Sequence, residues 1–169
     1  MVERLFGIKA VCLVRGSRGS AGDLVISSVA LVEFLERLGL RRGSKRPGRV
    51  AIPRWVEASL SRRMACLRGL IDTDGSIYPH RYRSAGRTYI YPKLSFTSII
   101  PALCRFVEST LRDLHIRASY YPSNRQVFVS STKDVRRYFE IVGTHNPRYR
   151  ERFQCLLGEV AEWSKAAVC

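Results

Sequence analysis

Between Arg62 and Ile71 the apolar residues Met64, Leu67, Leu70 and Ile71 recur every three or four positions, which places them on one face of a helix. On the same segment Ala65, Gly69 and Thr73 form a second stripe of smaller side chains, so the spacing predicts a helix with two packed faces. After Gly75 the period changes to two. The stretches "SIYPHRYR" and "RTYIYPKLSFTS" flank Ser84, Ala85 and Gly86 and read as a two-stranded antiparallel ribbon. In its second strand Ile90, Pro92, Leu94 and Phe96 alternate with Tyr89, Tyr91, Lys93, Ser95 and Thr97, so one face packs and the other stays polar.

Pro101 suits a first helical turn, and Leu103, Phe106, Val107, Leu111 and Leu114 follow at helical spacing. A second hairpin, "IRASYY" and "RQVFVSS", turns around Pro122, Ser123 and Asn124. Thr132 can cap the next helix, "KDVRRYFEIV", which stops at Gly143, and "RYRERFQCLLGEVAEW" reads as the last helix. The predicted class is α+β, in the order helix, hairpin, helix, hairpin, helices.

Upstream, "LVISSVALVEFLERLGL" matches "VFVSSTKDVRRYFEIVG" in type: strand, Ser-Ser, amphipathic helix, glycine. Residues 1–60 therefore read as a partial repeat (hairpin, helix, basic loop) packed on the main module of residues 61–169. The first copy lacks the acidic helix and its ribbon. Between the copies, "RRGSKRPGRVAIPRW" is broken by Gly and Pro and carries six basic residues and no acidic one. Its Lys45, Arg46 and Arg49 suit a phosphate-contacting loop.

At 169 residues and 46% hydrophobic, the chain is of a length for one compact unit with a sizeable core. The net charge of +15, with 24 of 29 basic residues arginine, favours a nucleic-acid partner, because the guanidinium fork suits phosphate and guanine. Five cysteines, odd in number and without a CxxC pair, argue against a disulfide framework or a zinc site and read as buried reduced thiols. No apolar stretch reaches membrane-spanning length, so the expected location is cytoplasmic and no membrane partner is expected.

The segment "LRGLIDTDG", Leu67 to Gly75, resembles the signature of the LAGLIDADG homing endonucleases at seven of nine positions, and the predicted element order after it is that family's. "IPRWVEASLSRRMACLRGL" is similar to the lead-in to this helix in intron- and intein-encoded members, and Arg68 and Thr73 stand where small residues are usual. The resemblance implies a site-specific double-strand DNA endonuclease, with the sheet laid saddle-like on a long, roughly palindromic duplex, and intron homing as its setting. Two motif helices pack side by side in that family, and one motif per chain implies a homodimer with Ala65, Arg68, Gly69, Asp72 and Thr73 at the interface. It also implies Asp74 as the metal ligand, with the Thr73 carbonyl beside it. The expected ion is Mg²⁺, with Mn²⁺ able to substitute and Ca²⁺ permitting binding without efficient cleavage.

Between Asp74 and Glu108 no acidic residue occurs, while Arg81, Arg83, Arg87 and Lys93 do, so the ribbon can lie along phosphates. On its polar face Tyr78, His80, Tyr82, Tyr89, Tyr91, Lys93, Ser95 and Thr97 are candidates for base contact, joined by Arg125, Gln126 and Phe128 of the second hairpin. Arg148 in "GTHNPRYRERF" matches a basic residue that the family places near the cleaved phosphate, with Arg150 next, and Ser98 is a candidate for orienting water. Two rival readings share the charge and the sheet: a catalytically silent LAGLIDADG binder, such as an RNA maturase or a transcription regulator, and a structural RNA-binding protein.

Overall fold

A computed structural model describes residues 2–15, 21–43, 48 and 50–166 of the chain. The chain divides into two compact units, Met1–Ser44 and Lys45–Cys169, rather than the one that its length suggests. They part within the basic stretch that Gly and Pro break.

The first unit runs α1 (Val2–Phe6), β1 (Val11–Arg15), β2 (Ala21–Val25) and α2 (Val29–Arg37). β1 and β2 form an antiparallel two-stranded sheet in the register Val11↔Val25 to Arg15↔Ala21. The Ser28 side chain caps α2, accepting from the Leu31 N–H at 3.2 Å. None of its residues whose side chains are described is buried.

The second unit holds α3 (Arg54–Glu57), α4 (Leu60–Asp74), β3 (Gly75–Ser84), β4 (Arg87–Thr97), α5 (Pro101–Asp113), β5 (Ser119–Tyr121), β6 (Gln126–Val129), α6 (Thr132–Ile141) and α7 (Pro147–Ala166). Its four strands form an antiparallel sheet in the order β3-β4-β6-β5. The helices lie on one face. Leu67 and Ile71 of α4, Ile77, Leu94 and Phe96 of the ribbon, Val107 and Leu111 of α5, Val127 and Val129 of β6, and Val135 and Tyr138 of α6 make one core. Burying each such side chain contributes about 1.5–3 kcal/mol, so this face of the sheet fixes the strand register. Arg63 of α4 adds an ion pair to Asp113 of α5 at 2.6 Å and a hydrogen bond to the Thr110 hydroxyl at 3.2 Å.

The element order of this unit is the one that the periodicities predict, with differences in detail. Ser131, not Thr132, caps α6, since its hydroxyl accepts from the Asp134 N–H and Thr132 is already helical. The second hairpin is shorter than predicted because Ile116 to Ala118 lie outside β5, behind a left-handed His115, and Arg125 is left-handed after a 3-10 turn over Pro122–Asn124. The cysteines are not uniformly buried: Cys104 is, Cys66 is half-buried, and Cys12 and Cys155 are exposed. A small, polarisable thiol is tolerated on a surface as well as in a core. Cys169 lies outside the described residues. No described helix is long and apolar enough to cross a membrane.

Candidate nucleic-acid interface and acidic helix end

The face of the sheet away from the helices is built by strict alternation. Tyr78 pairs with Lys93, His80 with Tyr91, Tyr82 with Tyr89 and Ser84 with Arg87, so all these side chains share one side of the ribbon. Ser95 pairs with Phe128 and Thr97 with Gln126, which extends the same face across β6, and Tyr121 of β5 follows opposite Gln126; on this face Ser95 itself is buried. Arg81 and Arg83 alternate to the other side of the ribbon, the side of Ile77 and Leu94. Beyond Leu94 the ribbon loses its third strand, since β6 reaches only the Leu94 to Thr97 end of β4.

Aromatic contact takes over on that outer part. The Tyr82 ring stacks on Tyr89 with centroids 5.1 Å apart and on Tyr91 at 5.5 Å, and the Tyr82 and Tyr91 hydroxyls lie 3.1 Å from each other. That hydrogen bond pushes the Tyr91 phenol up, with burial and the neighbouring tyrosines adding. His80 adjoins the cluster at 6.3 Å, and Tyr121 meets Phe128 edge-on at 5.8 Å. The Gln126 amide donates to the Thr97 hydroxyl at 3.0 Å. Together these residues present donors, acceptors and apolar ring edges on a two-stranded ribbon, the shape a DNA major groove admits.

At the root of this ribbon α4 passes into β3 with no loop between Asp74 and Gly75. Only glycine fits the junction, because a Cβ on Gly75 would collide with the Ile71 carbonyl and would lie 3.0 Å from the Ile71 Cα. Asp74 is exposed at the negative end of the helix dipole, and no described hydrogen bond or ion pair engages its carboxylate. Thr73 donates its hydroxyl back to the Gly69 carbonyl at 3.0 Å, which leaves the Thr73 carbonyl out of that bond. Ala65, Gly69 and Thr73 are exposed, and nothing lies within 4 Å of a Cβ built on Gly69. Among the described residues of the second unit, α4 thus has one packed face, and the second predicted face is exposed.

The other motif acid behaves differently. Asp72 accepts from the Thr144 hydroxyl at one carboxylate oxygen and from the His145 N–H at 2.8 Å at the other. Arg68 also turns inward, donating from Nε to the Val142 carbonyl at 2.6 Å, with Nη1 3.4 Å from His145 Nε2. A guanidinium there meets the negative C-terminal end of α6. Asn146 caps α7: its Oδ1 accepts from the Arg148 N–H at 3.1 Å and its Nδ2 donates to the Asp72 carbonyl at 3.2 Å. The Tyr149 hydroxyl donates to the Gly75 carbonyl. Burial pushes that hydroxyl up, and Asp72 and Asp74 push the same way against Arg152.

Of the remaining candidates, Arg148 is exposed on the first turn of α7. The Arg150 guanidinium donates to the Thr144 carbonyl at 3.3 Å. Ser98 is tied at the start of α5, where its hydroxyl accepts from the Ile100 N–H at 3.2 Å. Lys45, Arg46 and Arg49 lie outside the described residues. Sequence reasoning passed over Thr144, Asn146 and Tyr149, although Asn-Pro at 146–147 is a helix-start signal that could have pointed to the cap.

An ion held by Asp74 is compatible with this arrangement. Among the described residues no group of three or more His, Cys, Asp or Glu gathers to cage a metal. Mg²⁺ does not need such a cage, since it is bound through one or two carboxylates with water and phosphate oxygens completing the shell. A free, exposed carboxylate fits that requirement.

Among curated proteins no relative matches the chain. The crystal structure of LAGLIDADG homing endonuclease I-GzeII in complex with its DNA target is similar to 46% of this chain at 19% identity and a TM-score of 0.38. The chain covers 28% of that protein's length. A family model described as the LAGLIDADG-like domain matches residues 61–143, from the start of α4 to the glycine after α6. Through these residues, which hold the acidic helix end and the ribbon, the chain carries a domain of the LAGLIDADG family.

Proposed function

We propose that the chain is a site-specific DNA endonuclease that hydrolyses phosphodiester bonds in both strands of a long, roughly palindromic duplex, as a homodimer with a divalent cation. The observation that carries this reading is the exposed, unengaged Asp74 at the root of a basic, tyrosine-lined ribbon. A carboxylate at a helix C-terminus is disfavoured by about 0.3–1 kcal/mol, and a bound Mg²⁺ offsets that cost. A pure binder has no use for an acid facing phosphate.

Asp74 would hold the ion, with the Thr73 carbonyl as a second ligand. When bound, the ion supplies Lewis-acid stabilisation to the scissile phosphate. Arg148 offsets charge that builds up there, and Ser98 orients water. The ribbon face from Tyr78 to Thr97, with Gln126 and Phe128, reads base edges in the major groove. Arg81, Arg83, Arg87, Arg125 and the basic residues Lys45, Arg46 and Arg49 contact phosphates, which position the protein without specifying sequence.

Cutting two antiparallel strands requires two acidic centres. The open stripe of Ala65, Gly69 and Thr73 lets a second α4 approach closely, so two-fold pairing brings both Asp74 side chains to the duplex. Gly69→Leu tests the pairing. Among the described residues nothing outside the helix's own backbone lies within 4 Å of a Cβ there, so the fold should persist while sedimentation shows monomer and double-strand cleavage is lost; an unchanged dimer mass places the interface elsewhere.

The activity itself is tested by incubating the protein and Mg²⁺ with a randomised duplex library and sequencing the cut molecules. Enrichment of one long, roughly palindromic site is expected. Duplex or RNA binding with no cutting under Mg²⁺ or Mn²⁺ supports the silent binder instead.

A further inference from the structure

The end of α4 is held to the start of α7 by contacts that no local rule requires. Asn146 Nδ2 donates to the Asp72 carbonyl at 3.2 Å, and the Tyr149 hydroxyl donates to the Gly75 carbonyl. These two carbonyls bracket Asp74 in the chain. The Asp72 carboxylate meanwhile takes both the Thr144 hydroxyl and the His145 N–H. The partners are more than 70 residues apart in sequence. Arg152 extends the seam into the ribbon, with Nη1 donating to the Ile77 carbonyl at 3.3 Å.

The last carbonyls of a helix ordinarily look to water, and the last turn frays. Here side chains of α7 and of the loop before it satisfy the backbone on either side of Asp74. The same side chains set the first turn of α7. Asn146 Oδ1 accepts the Arg148 N–H, and the Asn146 carbonyl accepts from Tyr149 N–H at 3.1 Å. One amide side chain therefore joins the backbone two residues before Asp74 to the backbone of Arg148. Asp72 suits this place electrostatically: it stands at the disfavoured end of α4 but at the positive start of α7.

We propose that Asp72, Asn146 and Tyr149 are positioning residues that lock Asp74 and Arg148 into one rigid arrangement for phosphodiester cleavage. None of the three touches the reacting phosphate. The inference rests on the endonuclease reading for its effect on rate and on the hydrogen bonds above for its geometry. A misplacement of about 1 Å at a reacting group costs about 100-fold in rate, so losing one tie should be felt in the chemical step and not in the grip on DNA.

Tyr149→Phe removes one hydroxyl and nothing else. Asn146→Ser keeps an N-cap for α7 but loses the reach to Asp72. Each is expected to lower the single-turnover cleavage rate at saturating Mg²⁺ by about tenfold or more. Duplex affinity in Ca²⁺ should stay within about threefold of wild type, and the rate lost in Asn146→Ser should return in part with Asn146→Gln, which restores an amide donor. Wild-type rates in Tyr149→Phe and Asn146→Ser, in a protein whose cleavage Asp74→Asn abolishes, overturn the positioning role and leave the endonuclease reading standing. If wild type cuts no duplex, that reading fails, and backbone hydrogen exchange without DNA or metal decides the clamp alone. In Asn146→Ser, which keeps the cap on the Arg148 N–H, the Gly75 amide at the end of α4 should then exchange about tenfold faster, whereas unchanged exchange there overturns the clamp.

Discussion

The strand, strand and helix succession of the first unit, β1, β2 and α2, recurs in the second as β5, β6 and α6, and these two copies differ in burial. Phe6-Gly7-Ile8-Lys9-Ala10 leads into β1 as Leu114-His115-Ile116-Arg117-Ala118 leads into β5, and Gly7 and His115 both take positive φ, +67° and +55°. Ser28 caps α2 as Ser131 caps α6. Yet Leu24 on β2 is 62% exposed where its counterpart Val127 on β6 is 2% exposed, and Val32 on α2 is 36% exposed where Val135 on α6 is fully buried. The second copy lies against α5 and β4, which belong to the half of the module that carries the acidic helix and its ribbon. The first unit has no such half. Turns and caps write the elements, but a two-stranded hairpin with one amphipathic helix cannot make a core alone.

The largest test of this contrast is a matched pair of truncations. Val127→Ala should cost about 2 kcal/mol in chemical denaturation, as a lost buried side chain and a small cavity require, whereas Leu24→Ala should cost less than about 0.5 kcal/mol. Equal losses would mean that the first hairpin is as well covered as the second. Thiol labelling of the native protein gives a smaller readout. Cys12 on β1 is exposed, whereas Cys104 on α5 is buried and burial pushes its thiol up, so at pH 8 it offers less of the reactive thiolate. Cys12 should react first and Cys104 only on opening of the core; simultaneous labelling contradicts the burial difference. The smallest effect is expected at Tyr138, where the first copy has Leu35. Among the described residues the buried Tyr138 hydroxyl has no hydrogen-bond partner. Tyr138→Phe should therefore unfold within about 1 kcal/mol of wild type, or above it, and a loss of several kcal/mol would show that the hydroxyl has a partner.

The same comparison explains what could be read from the sequence. Period-two alternation in Tyr89 to Thr97 and helical spacing in Met64 to Ile71 each rest on a buried face, and both elements formed, although Ser95 on the polar side of β4 is buried and the stripe of Ala65, Gly69 and Thr73 on α4 is exposed. The nine-residue segment at Leu67 to Gly75 located the acidic helix end, because a glycine at its close has a steric cause that survives in sequence. What the pattern could not supply was tertiary. The ties of Asp72 to Thr144 and His145, and of Tyr149 to Gly75, join residues with no shared periodicity. The inward turn of Arg68 likewise depends on where α6 ends. Nor does alternation reveal that β2 would find no cover when β6 does.

Asp74 is the residue on which the proposed nuclease activity depends, and one paired measurement tests that dependence. Wild type and Asp74→Asn are compared on the duplex recovered from the cleavage library, cutting in Mg²⁺ and binding in Ca²⁺. The expected result is complete loss of cutting in Asp74→Asn with affinity retained within a few-fold, since the variant removes a metal ligand and leaves the ribbon untouched. Cleavage by Asp74→Asn at the wild-type rate would contradict a catalytic role for Asp74.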